Sequence, residues 1–111
     1  MAKLETTLTG SVDEWLHRIE EGIISGSVSA DLEDASEFFS TDGKSRCSVR
    51  VFERYSMIGD NRVSLSVTLF QADDGPIQCS AIASGGSQAV FFKINTWGEE
   101  TFLEKFEELL V

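Results

Sequence analysis

Histidine and proline each occur once in these 111 residues, cysteine twice, and basic side chains number only nine. The single histidine, His17, leaves a serine–histidine triad or a histidine general base without parts. Histidine and cysteine are too few, and too scattered, for a zinc centre, and no C-x-x-C pair is present. Cys47 and Cys79 suffice for one disulfide, but their placement on strands separated by a third predicts reduced thiols. Nine basic against nineteen acidic residues give a net charge of −10. That balance excludes nucleic acid and anionic membrane surfaces as expected partners. No apolar run approaches the roughly 20 residues of a membrane-spanning helix, and the start MAKLETTLTG is too polar for a signal peptide. The expectation is a cytoplasmic protein without metal or cofactor.

What is present is a globular composition. Hydrophobic residues make up 41 % of the chain and eight are phenylalanine, enough for one domain spanning residues 1–111. Leu4, Thr6 and Leu8 alternate with Lys3, Glu5 and Thr7, which predicts a strand. Ser11 and Glu14 then have capping-box spacing. Val12, Trp15, Leu16, Ile19 and Ile23 fall within one helical stripe, and Gly26 stops the helix. From residue 27 to about residue 84 the period changes to two. TDGK, IGDN and DDGP mark turns, so four strands are expected as an antiparallel meander. A last helix is expected from Thr96, with Phe102, Leu103, Phe106, Leu109 and Leu110 as its buried stripe and glutamates opposite. The predicted class is α+β, in the order β-α-β-β-β-β-α: a meander sheet of four to six strands with both helices on one face.

Alternation also predicts which side chains face the helices. Cys47, Val49 and Val51, with the odd-numbered residues of the next two strands, are expected inward. Arg46, Ser48, Arg50 and Phe52 are expected outward, with Asp31 near Arg54, Glu33 near Phe52, Glu37 near Ser48 and Arg50 diagonally between Glu33 and Glu37, so that the arginines read as cross-strand ladder partners. The outward face continues into Ser64, Ser66, Thr68, Ser80 and Ser84, with Phe52, Phe70 and Ile82 mixed in, a surface that either simply faces water or pairs with its copy in a twofold dimer. Strict alternation leaves Asp34 and Glu53 inward, where an unpaired carboxylate is costly. A bulge that turns Asp34 outward comes first as an explanation, then a position at the open end of the sheet, then a catalytic carboxylate pair.

After Ala83 the alternation stops at SGGSQAVFFKINTWGEE. Gly85 and Gly86 permit positive φ and close backbone approach, so the block reads first as a tight strand-to-crossover turn; in the second reading the N–H groups of GGSQ, with Ser87 and Gln88, surround a small anion-binding concavity. Ala89 to Ile94 form an apolar run that packs as a short strand or a crossover. The candidate binding residues are therefore Gly85, Gly86, Ser87, Gln88, Phe92 and Trp97. No catalytic residue is assigned. The block lacks the G-x-x-x-x-G-K-[ST] spacing of a phosphate loop.

CSVRVFERYS, NRVSLSVTLF and SAIASGGSQAVFFKINTWGEETFL resemble a family of small bacterial proteins known only as a domain of unknown function. The resemblance spans nearly the whole chain and implies a cytoplasmic bacterial protein with no assigned activity. The functional expectation is a non-catalytic binding or protein-interaction module, with another protein or a second copy as partner. The alternatives are a small-ligand carrier with a pocket between sheet and last helix, and an enzyme using Asp34 and Glu53.

Overall fold

The computed structural model describes residues 2–26, 29–56, 61–85 and 102–110. Its elements are β1 (Ala2–Leu8), α1 (Val12–Gly26), β2 (Asp31–Phe39), β3 (Ser45–Ser56), β4 (Asn61–Ala72), β5 (Ile77–Gly85) and a last helix, α2, at 102–109. The class is α+β, as the sequence predicts. All five strands form one antiparallel sheet in the order β1-β5-β4-β3-β2. The meander β2 to β5 is consecutive, and β1 returns beside β5, so β1 and β2 are the edges among the described strands.

Local chemistry sets these elements. The Ser11 hydroxyl accepts the Glu14 N–H at 3.4 Å at the start of α1, and Asp13 and Glu14 favour the positive end of the helix dipole. The β2–β3 hairpin turns at Gly43, whose φ of 74° suits glycine. Asp42 holds that turn by accepting from the Ser40 hydroxyl and the Lys44 N–H.

Both helices cover one face of the sheet. Leu16 and Ile19 of α1 join Val67, Leu69 and Ala81 of the sheet and Phe102 and Phe106 of α2 in one buried core. Trp15 is half-buried at its rim, its indole N–H donating to the Thr9 carbonyl at 2.8 Å. The two helices also touch: a Cβ on Gly22 would collide with the Leu109 side chain, so glycine permits this approach.

Strands β4 and β5 turn their odd-numbered residues to the helices, as expected. Strand β3 does the opposite of what alternation predicts. Ser48 pairs with Leu69, Arg50 with Val67 and Phe52 with Leu65, so Arg46, Ser48, Arg50 and Phe52 lie on the covered face. Phe52 is completely buried. Cys47, Val49 and Val51 instead lie on the opposite face, which no described helix covers and which is called the uncovered face below. Every β3–β4 pair sums to 117, an odd number, so an odd inward residue on β4 must stand opposite an even residue on β3. Among the described residues, no helix is long and apolar enough to cross a membrane.

Candidate functional site

Beneath α1, the covered face holds a chain of alternating charges. On an ideal helix Asp13 and Glu20 lie about 80–100° to one side of Val12, flanking the apolar stripe. Seven residues apart, they are separated by roughly 10 Å along the helix. Arg46 and Arg50 lie four residues apart on β3, roughly 13 Å, so the two spacings nearly match. Arg46 Nη1 donates to Asp13 Oδ1 at 2.7 Å, and Arg50 Nε to Glu20 Oε2 at 2.8 Å. Glu37 of β2 joins both arginines, accepting from Arg46 Nε at 2.9 Å and from Arg50 Nη1 at 2.7 Å. The Ser48 hydroxyl, buried directly across from it, donates to the same carboxylate at 2.7 Å. Burial raises the Glu37 pKa, but bonds from Ser48, Arg46 and Arg50 and the charge of Arg46 outweigh that and hold it below its usual range. Three carboxylates and two guanidinium groups thus satisfy one another across α1, β2 and β3. This arrangement can position a helix. With its carboxylates engaged, it offers no group held ready for acid–base chemistry.

The opposite face of the sheet carries no described helix. Its middle consists of Val49 and Val51 on β3, Ser66 and Thr68 on β4, and Ser80 and Ile82 on β5, all half-buried. Phe70, 38 % exposed, and Phe38, 62 % exposed, extend the apolar part toward the β2 edge. Cys47 lies between them on β3, paired with both. Over β1, β5 and β4 the surface dips into a shallow, open depression of about 550 Å³ whose lining includes Glu5, Thr68, Phe70 and Ser80.

Asp34 and Glu53 both lie on this uncovered face, not among the core residues where strict alternation places them. The β2 register shifts between Leu32 and Asp34, a bulge that leaves Asp34 exposed beside Val51. Glu53 stands opposite Ser64 and accepts from Arg62 at 3.2 Å, while the Arg62 guanidinium lies 5.2 Å from the Tyr55 ring centre. The same bulge sets Asp31 opposite Glu53 and Leu32 opposite Phe52, where the sequence pattern pairs Asp31 with Arg54 and Glu33 with Phe52. His17 is exposed and lies 3.2 Å from Glu21, one helical turn on.

Cys47 and Cys79 are free thiols. They do not share a face: Cys79 is buried on the helix side, whereas Cys47 is half-buried on the other, with β4 between their strands. Burial pushes the Cys79 thiol up to about 11. Among the described residues, no three histidine, cysteine or carboxylate side chains cluster as metal ligands.

Of the candidate binding residues, Gly85 is described. It ends β5 with φ at 130°, and a Cβ there would stand 2.5 Å from the Arg62 carbonyl oxygen. Approach to the β4 backbone therefore accounts for this glycine without a ligand. Gly86, Ser87, Gln88, Phe92 and Trp97 lie outside the described residues, as does the expected helix start at Thr96. The contact of Arg50 with Glu37 and the outward placement of Phe70 and Ile82 follow the alternation reading; the covered position of the arginines, their links to Asp13 and Glu20, and the outward Val49 and Val51 escape it. The i, i+4 arginines against the i, i+7 acids of the first helix were the available signal.

A family model described as a family of unknown function (DUF6054) matches residues 1–111. No curated protein and no solved structure matches the chain.

Proposed function

Since the chain belongs to DUF6054, a family of unknown function, we propose from its geometry that it is a non-catalytic protein-interaction module whose contact surface is the uncovered face of the sheet. One observation carries this reading. On a chain of net charge −10, the middle of this face holds no charged side chain and presents Val49, Val51 and Ile82 half-exposed beside Phe70. A sheet normally covers an apolar face with another layer. Asp34 is exposed and Glu53 accepts from Arg62, arrangements that suit a surface and an ion pair. The reading places the protein in the bacterial cytoplasm, where two free thiols stay reduced.

A photo-reactive side chain at position 66, in the centre of the face, tests this in living cells. It should give covalent adducts with a partner, while the same group at position 21, on the outer side of α1, should give none. Adducts from position 21 with none from position 66 would discard the reading.

A further inference from the structure

Resting on that reading, we infer that the occupant of the uncovered face is a second copy of this chain, packed face to face about a twofold axis that runs along β4. Strand β4 is the third of five in the sheet. Such an axis sets β4 over its own copy, β3 over the partner's β5, and β2 over the partner's β1.

The side chains suit this exchange row by row. The pairing registers place Lys3, Ile82, Ser66, Val51 and Asp34 at one level across the sheet, from edge to edge. The twofold sets Lys3 against Asp34 of the other copy, Ile82 against Val51, and Ser66 against itself. The lysine and the carboxylate stand at opposite edges of one sheet and meet only through the axis, twice per dimer. The next level sets Glu5 against Ser36 and Ser80 against Val49, with Thr68 on the axis. The level after it sets Thr7 against Phe38 and Gln78 against Cys47. No carboxylate faces a carboxylate in these three levels, although each copy carries a net charge of −10. Packed sheets lie about 10 Å apart with strands rotated by about 30°, which displaces edge residues by roughly 5 Å, within the reach of a lysine.

The area is sufficient. Five strands at about 4.8 Å and about nine residues at about 3.4 Å give a face of roughly 30 by 24 Å, or about 700 Å² per copy. Two copies then bury about 1,400 Å², within the range of stable interfaces.

Sedimentation of the purified chain from low to high micromolar concentration tests this. The expected particle has twice the 12.2 kDa chain mass. Ser66→Arg, which puts two guanidinium groups on the axis, should give a monomer with an unchanged circular-dichroism melt. Lys3→Asp should weaken association about tenfold, and Lys3→Asp with Asp34→Lys should restore it. A wild-type monomer throughout, or a dimer unmoved by Ser66→Arg, would overturn the proposal. Failure of the double exchange to restore association would overturn the axis. A monomeric wild type whose position 66 cross-links to a different protein removes the second copy as partner and leaves the interaction face standing. Absence of any adduct at position 66 removes both.

Discussion

Over β4 and β5, α1 joins a core in which Val67, Leu69 and Ala81 are buried; over β3, the same helix is held by Arg46 and Arg50, which bind its Asp13 and Glu20. The first contact is apolar and non-directional, scaling with the area removed from water. It supplies stability but tolerates a helix that slides or rolls. The second is built from charge-assisted bonds with fixed geometry. Its net contribution is smaller, because each ion loses hydration on entering. Its effect is positional: with acids on one flank only, α1 has one rotation about its own axis that satisfies both arginines.

Damage to the apolar side should be largest. Phe106→Ala, at a side chain with no exposure, should cost roughly 3–5 kcal/mol in urea unfolding. A midpoint that scarcely moves would mean that α2 does not share the core. Arg50→Met should cost less, about 2 kcal/mol, because it keeps the aliphatic stem but leaves Glu20 and Glu37 without that partner. Arg50→Lys should restore little of this, since an ammonium group cannot reproduce the guanidinium fork. If Arg50→Met proves as damaging as Phe106→Ala, the division between stability and position fails.

The smallest effect concerns pH. The folded-state pKa of Glu37 is held below the 4.5 of the free side chain. Its contribution is therefore complete above that value and is lost as pH falls through the lower, folded-state value. Urea midpoints of wild type and Glu37→Gln, measured from pH 7 down to pH 3, should converge below pH 4.5. A constant gap would show that the carboxylate charge is not what Arg46 and Arg50 require.

Sequence pattern served the two sides of the sheet unequally for a physical reason. On β4 and β5 one parity is apolar and the other mostly polar, with Phe70 and Ile82 as exceptions, so Val67 or Ala81 has one sensible direction. On β3 both parities contain residues fit for burial: Cys47, Val49 and Val51 on one, Phe52 on the other. Hydrophobicity alone favours the first set, but pairing with β4 demands the second. Arginines that look like surface residues in the sequence are covered because Asp13, Glu20 and Glu37 converge on them from elements distant in the chain. The bulge beside Glu33, which shifts the β2 register by one residue, leaves one trace in the sequence: Asp34 on the parity of Leu32, where an unpaired carboxylate is costly. Gly85 was legible as a close-approach position; its need for φ at 130° is visible only with β4 beside it.

The acidity of β2 bears on how large an assembly can grow. An edge strand is an open row of peptide groups that invites another strand, and repeated addition makes a fibre. Asp31, Glu33, Asp34 and Glu37 lie along this nine-residue edge. Antiparallel addition of a second β2 would bring carboxylates together, and the bulge interrupts the straight run of donors and acceptors such addition needs. Strand addition through the β2 edge, which an open polymer would need, is thereby opposed, while contact through the face closes on itself after one partner. The same carboxylates that give the chain its low isoelectric point thus act as a terminator, favouring a finite particle over an open polymer.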